Sequence, residues 1–503
     1  MIIGRLRMKK YILSLDQWTT SSRAVLFLSS GEMIGMASRG FSQYYPHPGW
    51  VEHDAEEILS SQVSAVQDVL KKTGVSVSDI AAIGITNQRE TVVVWDKYTG
   101  KPVHPAIVWQ CHRTSDMCLG WKQDGLEPMI REKTGLLSDP YFSGSKIKWI
   151  FDHDPGIKSK AKRGEVLVGT IDTWLIWNLT NRKSHITDGS NASRTMLYHI
   201  HQMKWDHDLL NLMGIPECVL PEVVKSSGVV ANVHKSWFGI DIPIAGIAGD
   251  QQAALFGQGC LTEGSIKNTY GTGCFILMNT GKKPVHSNNR LLTTIAWDIG
   301  DGPVYALEGG VFHAGSAIQW LQDAICMVKD GKEADQLAMS VPDTNGAYFV
   351  PAFTGLGAPW WDMYASGTMI GLTRGTTKAH FVRAVLESIA YQSKDVMDAM
   401  RLDFGNPFQS LKVDGGISQS DIVLQFQADL LGIEVRRPLN IETTAAGAAM
   451  LASYAMGMSD LNSRVSCDIS KVYKPLMSKE KASLLYENWK RAVSRSMNWN
   501  SLS

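Results

Sequence analysis

Two stretches in opposite halves of the chain share one plan: apolar strand, short polar turn, apolar strand. In YILSLDQWTTSSRAVLFLSSGEMIG, Tyr11 to Gly35, the turn DQWTTS stands between two apolar runs and a glycine marks the next reversal. In SIKNTYGTGCFILMNT, Ser265 to Thr280, glycines relieve the turn instead. Repetition of such a unit predicts a duplicated α/β architecture with its boundary near Gly257 to Gly264. Length agrees, because 503 residues exceed what one core usually holds.

The remaining sequence keeps the same grammar. From Asp54 to Lys72 the apolar residues Ile58, Leu59, Val63, Val66, Val69 and Leu70 recur at helical spacing, and Thr73-Gly74 closes the helix. IAAIGIT, Ile80 to Thr86, predicts a strand ending on Asn87, Gln88, Arg89 and Glu90. IPIAGIAG, Ile242 to Gly249, is a strand running into Asp250-Gln251-Gln252, after which AALFGQG reads as the start of a helix. Val382 to Met400 is helical by its spacing. Ser410 to Gly432 gives a strand, a glycine pair and a helix. Thr443 to Gly457 is a small-residue helix able to approach its neighbours closely.

Composition narrows the function classes. Lys+Arg and Asp+Glu both number 49, so no net attraction to nucleic acid or an anionic membrane is expected. No apolar block of signal-peptide length precedes Asp16, and no apolar run reaches about 18 residues, which reads as a soluble, cytoplasmic chain without stable membrane insertion. The seven cysteines, at 111, 118, 218, 260, 274, 326 and 467, form no CxxC pair and are expected to be reduced. His199 and His201 lack the companions a metal site needs.

Open α/β sheets place ligands where free loops leave the strand ends. Four polar clusters meet that description: Asp16 to Arg23, Asn87 to Glu90, Asp250 to Gln252 and Asp414 to Gln419. There is neither a GxGxxG nor a GxxxxGK[ST] motif, so a nucleotide site must be of another kind. DQWTTSSR offers backbone N–H groups and the hydroxyls of Thr19, Thr20, Ser21 and Ser22 to phosphate, and NTYGTG offers a second such turn. Gly415-Gly416 leaves room beneath a nucleoside. Phosphoryl transfer to a hydroxyl needs a carboxylate to take the proton and charge neutralisation on the phosphate. Asp250, at a helix start, suits the base; Asp16, beside the phosphate turn, suits Mg2+. Arg89 and Glu90 would bracket vicinal hydroxyls, with Trp109 and Phe275 over the carbon chain.

Together these residues resemble the glycerol kinases of the FGGY carbohydrate kinase family, over essentially the full length. The matching stretches include DQWTTSSR (16 to 23), PGWVEHD (48 to 54), ITNQRET (85 to 91), AIVWQCHRT (106 to 114), NASRTML (191 to 197), GIAGDQQAALFGQ (246 to 258), KNTYGTGCF (267 to 275) and PAFTGLGAPWW (351 to 361). The resemblance implies two ribonuclease-H-like domains of the actin, hexokinase and Hsp70 type with an interdomain cleft. Residues 1–258 would bind the polyol and carry a phosphate hairpin, and 259–503 would bind the nucleotide. It implies ATP and Mg2+ as cofactors, glycerol as substrate and a homodimer or homotetramer. It places the polyol against Arg89, Glu90, Trp109, Tyr141, Asp250, Gln251 and Phe275. Asp250, Asp16 and Arg23 are then catalytic, with Asp16 and Asp250 on the metal side. Thr19, Thr20, Ser21 and Arg23 would face phosphate, and Thr272, Gly315, Gln319, Gly416 and Ser420 the nucleotide. A kinase for another small polyol or sugar is the alternative, as is a sensor that kept the fold.

Three positions depart from the family pattern. Trp18 stands where a glycine or other small residue is usual, Ser420 where asparagine is common near the adenine, and Asp241 where relatives controlled by fructose 1,6-bisphosphate carry an arginine. The first predicts impaired phosphoryl transfer or loop closure, the second weaker base discrimination, and the third loss of that feedback.

Overall fold

The computed structural model describes residues 10–460 and 468–502. The first nine residues and Cys467 lie outside that range.

A six-stranded sheet builds the first half. Its order is Ser227–Val233, Ile242–Gly249, Ile80–Asn87, Tyr11–Gln17, Ser21–Leu28, Met33–Gly40. Tyr11–Gln17 pairs antiparallel with Ser21–Leu28 and parallel with Ile80–Asn87, which in turn runs parallel to Ile242–Gly249. A seven-stranded sheet in the second half repeats this pattern. Ile266–Tyr270 pairs antiparallel with Cys274–Gly281 and parallel with Ser410–Asp414, which runs parallel to Glu434–Pro438. The duplication expected from the two strand-turn-strand units is therefore a duplication of the whole sheet core, as two ribonuclease-H-like domains require.

Local sequence accounts for the elements. Helix Ala55–Thr73 starts where the Asp54 carboxylate accepts from the N–H groups of Glu56 and Glu57. It carries Glu56 and Glu57 in its first turn and Lys71 and Lys72 in its last, matching the helix dipole, and it ends at Gly74 with φ +68°. Ile58, Ala65, Val66 and Val69 face the first sheet's core. The long helix Lys378–Phe404 and the helix Asp421–Leu431 occupy their predicted segments.

Two predictions shift by a few residues. The first hairpin turn is only Trp18-Thr19-Thr20, with Asp16 and Gln17 inside one strand and Ser21 and Ser22 inside the next. The helix after Ile242–Gly249 begins at Asp250 and ends at Gly257, so AALFG is its body rather than its beginning.

Two helices tie the halves together. Asp250–Gly257 follows a strand of the first sheet and packs Leu255 and Phe256 with Leu277, Ala296, Trp297 and Ala306 of the second. Thr443–Ala455 follows the second sheet and lays Ala445, Ala449 and Ala452 on Ile12, Val25, Ala81, Ala82 and Ala245 of the first. The two helices touch backbone to backbone: a Cβ on Gly447 would collide with the Ala253 carbonyl, and one on Gly257 with the Thr443 carbonyl. Such proximity is what the small-residue run provides.

Candidate active site

The parallel strands of the first half end together, in register at Asp16 with Thr86 and at Gly249 with Asn87. Asp16, Arg89 and Asp250 therefore emerge at one edge. Arg89 is buried, its stem lying against Gly249, where a Cβ would come within 2.7 Å of the Arg89 side chain. Its Nε lies 3.1 Å from Asp250 Oδ1, and its NH2 nitrogen donates to the Tyr141 hydroxyl at 3.3 Å. The Asp250 carboxylate also accepts from the Gln251 N–H at 2.7 Å and from its side-chain amide at 3.3 Å. Asp250 sits in the first turn of its helix and keeps about a quarter of its side chain open (28%), while Arg89 (2%) is closed off. A carboxylate aimed by a buried guanidinium and open to the cleft is placed to take a proton from a bound hydroxyl.

Aromatic rings wall this space. Trp109 meets Tyr141 edge-on at 5.6 Å and Phe275, from the second half, at 6.2 Å. The Trp109 indole N–H donates to Thr19 Oγ1 at 3.0 Å, which joins this aromatic wall to the first hairpin turn.

Glu90, next to Arg89, is held through one carboxylate oxygen. Its φ is +63°, an uncommon conformation for a residue with a side chain, and its carboxylate accepts from Arg194 Nε at 2.6 Å. Arg89 likewise donates to both oxygens of Glu308, at 2.6 and 2.9 Å, and Arg194 donates to the same glutamate at 3.0 Å. Arg89, Glu90, Arg194 and Glu308 are all at most 2% exposed. Burial pushes the Glu308 carboxyl up, but Arg194 and Arg89 outweigh it and hold it down to about 2.

Sequence reasoning passed over Arg194, Glu308 and Lys267. Lys267 donates to Gln251 Oε1 at 2.5 Å and to Thr269 Oγ1 at 2.8 Å, and burial lowers it to about 8. The available signals were charges inside apolar strands, in PVYALEGGV and SIKNTY, and an arginine in NASRTML.

On the phosphate side, Asp16 is fully buried. Its Oδ2 accepts from Arg23 at 3.1 Å and from the Trp18 indole N–H at 2.9 Å, while Oδ1 has no hydrogen-bond partner. Burial raises its carboxyl to about 6 against the opposing pull of Arg23. Arg23 also pairs with Glu442 at 2.7 Å. Thr19 and Ser21 are half-buried and Thr20 exposed around the turn. Ser22 faces away, bonding Ser61 at 2.9 Å, because strand alternation turns it into the core.

The second hairpin turn, Gly271-Thr272-Gly273, opens to solvent at its first two residues, and the Thr272 carbonyl accepts from Ala314 and Ser316 at the head of helix Gly315–Asp323. Gly315 lies against the turn, where a Cβ would come 2.6 Å from the Gly271 carbonyl oxygen. Gln319 is exposed on that helix. Gly415 has φ +80° and fits against the Tyr270 backbone, whereas the space above Gly416 is open. Ser420 does not offer a free hydroxyl: it caps helix Asp421–Leu431 and donates to Asp335 at 2.8 Å. Asp241 accepts from the Lys235 N–H at 2.8 Å.

Known proteins share this two-part fold. The FGGY family of carbohydrate kinases, N-terminal domain, matches residues 11–257, and its C-terminal domain matches residues 266–456. A glycerol kinase of Caldanaerobacter subterraneus subsp. tengcongensis is 57% identical over 98% of this chain and 99% of its own length. The crystal structure of Plasmodium falciparum glycerol kinase with ADP superposes with a TM-score of 0.90 at 36% identity, covering 97% of this chain and 98% of that one. A ligand-bound xylulose kinase from Lactobacillus acidophilus shares the fold, at TM-score 0.87 and 23% identity over 97% of both chains. The chain thus belongs to the glycerol kinases of the FGGY family of carbohydrate kinases.

Proposed function

We propose that the cleft transfers the terminal phosphoryl group of ATP to a primary hydroxyl of glycerol, with Asp250 as general base. One observation carries the assignment of the base: Asp250 is held by buried Arg89 yet open to a space walled by Trp109 and Phe275. Asp250 takes the hydroxyl proton as the substrate oxygen bonds to phosphorus. The bond from that phosphorus to the bridging oxygen of ADP breaks, giving sn-glycerol 3-phosphate and ADP. Arg89 and Tyr141 hold neighbouring hydroxyls, and Gln251, fixed by Lys267, lines the same side. Glu90, fixed on one oxygen by Arg194, is assigned to the polyol as well.

ATP is assigned to the paired hairpins, its phosphates between Thr19, Thr20, Ser21 and Arg23 on one side and Thr272 and Gly315 on the other. The nucleoside lies toward Gln319 and the open space above Gly416. Asp16 suits Mg2+: its buried Oδ1 lacks a partner. Among the described residues no group of three or more His, Cys, Asp or Glu forms a metal cage; Asp16 and Asp250 would hold the ion together with phosphate oxygens and water. When bound, the ion neutralises phosphate charge.

The hinge is assigned to the crossing helices around residue 258, between domains 1–258 and 259–503. Among the described residues six cysteines are free thiols, which suits the cytoplasm, and a homodimer or homotetramer is the expected assembly, to be checked by light scattering.

ADP release measured with glycerol, dihydroxyacetone, erythritol, xylulose and gluconate tests the substrate. Glycerol is expected to give the highest kcat/KM; a five-carbon sugar ahead of it would reject the assignment.

A further inference from the structure

Trp18 makes contacts that its place in an exposed turn does not demand. Its backbone is pinned: the N–H donates to the Ser21 carbonyl at 2.9 Å, and its own carbonyl accepts from the amides of Gln17 at 2.5 Å and Gln88 at 3.1 Å. Its φ is not positive, so the indole does not strain the turn. The side chain alone is free to move, 42% exposed, yet it folds back over two buried polar groups. The indole N–H occupies Asp16 Oδ2 at 2.9 Å, and the ring covers the Arg23 guanidinium at 3.6 Å. Beneath it Asp16 Oδ1 and Arg23 Nε are buried without hydrogen-bond partners, which marks a polar site short of a ligand.

We infer that Trp18 is a gate on the phosphate side of the cleft: its indole masks Asp16 and Arg23, and nucleotide phosphate and metal must displace it. The proposal rests on the phosphate-side reading of Asp16 and Arg23 given above. A pinned backbone confines the motion to side-chain rotation. The contacts to be broken, one N–H bond to a carboxylate and one ring-guanidinium stack, act only on the closed form. They therefore lower apparent nucleotide affinity by shrinking the competent fraction. The polyol side is connected through Thr19 to Trp109, not through the indole of Trp18, so glycerol affinity should be indifferent to the gate.

Calorimetric titration with a nonhydrolysable ATP analogue and Mg2+ tests this in the wild type, Trp18→Gly and Trp18→Phe. Trp18→Gly is expected to bind the analogue roughly tenfold tighter, as for a site open about one tenth of the time. Trp18→Phe keeps the ring over Arg23 but loses the N–H, and should fall between. Glycerol affinity should stay within about twofold in all three, since the tax falls on the nucleotide alone. The difference in tryptophan emission between wild type and Trp18→Phe should change when the analogue is added. Equal or weaker analogue binding in both variants, or an unchanged difference spectrum, overturns the gate. No analogue binding in any of the three proteins removes the nucleotide site itself, and the gate with it.

Discussion

Glu308, on a strand of the second half, grips Arg89 of the first through both carboxylate oxygens, at 2.6 and 2.9 Å, in a fully buried pair. Arg89 in turn aims Asp250, so the geometry of the proposed base depends on a residue at one remove from it. Glu308→Gln keeps the shape but removes the charge facing two buried guanidiniums. Breaking a buried pair by removing one partner costs about 3–5 kcal/mol. The expected outcome is a large drop in Tm together with a glycerol KM raised more than the ATP KM. Unchanged Tm and glycerol KM would show that Arg194 and Glu90 hold Arg89 without it.

Asp250→Asn preserves an oxygen for Arg89 and for the Gln251 N–H, so the pocket should keep its shape. Loss of the base should lower kcat by roughly 100- to 10,000-fold. Glycerol binding, read by calorimetry, should change little. Turnover near the wild-type rate would move the base elsewhere.

The parts of this site that could be read from sequence are those at strand ends. Asp16, Arg89 and Asp250 each lie at or just past the end of a largely apolar strand, and parallel strands in register bring such ends to one edge. Partnership across the cleft has no comparable local mark. Glu308 and Arg89 are 219 residues apart, and only the charge inside PVYALEGGV hinted that a buried partner existed. Side-chain direction was lost in the same way. Ser22 looks like Ser21 in a list of hydroxyls, but one step along the strand sends it into the core beside Ser61. Glu90 follows Arg89 in sequence, and nothing local announced its positive φ or the distant Arg194 that holds one of its oxygens. The helix Thr443–Ala455 announced its close approach through small residues; that it would lie on the other half's sheet was set by the duplicated topology.

Lys267 gives the site a basic limb. Burial holds it down to about 8 from 10.5, so it sheds its proton as pH rises through about 8. Charged Lys267 positions Gln251 and lies near Asp250, and kcat/KM for glycerol should fall across that range. Stability moves the other way. Between about 8 and 10.5 the unfolded chain binds more protons at this residue than the folded one, so its contribution to stability rises with pH. Lys267→Met should flatten both trends. Rate and melting profiles of the variant that still parallel the wild type would assign the limb to another group.

Gly447 packs backbone to backbone between the two halves, its α-carbon facing the Ala253 carbonyl across the crossing helices. Gly447→Ala must push the helices apart, because the obstacle is backbone and cannot rotate away. Overpacking of this kind costs about 1–3 kcal/mol. Gly120 supplies the control: it lies in helix Ser115–Gln123, has no positive φ, and an added Cβ there meets nothing within 4 Å. Gly120→Ala should raise stability by about 0.4–1 kcal/mol through the unfolded chain's lost freedom. The pair should therefore shift Tm in opposite directions, with Gly447→Ala alone also changing the KM of both substrates, since the helix it displaces, Asp250–Gly257, carries the base at its first turn. A Gly447→Ala enzyme with wild-type Tm and kinetics would mean that the crossing yields without cost, and the hinge would have to be sought elsewhere in the chain.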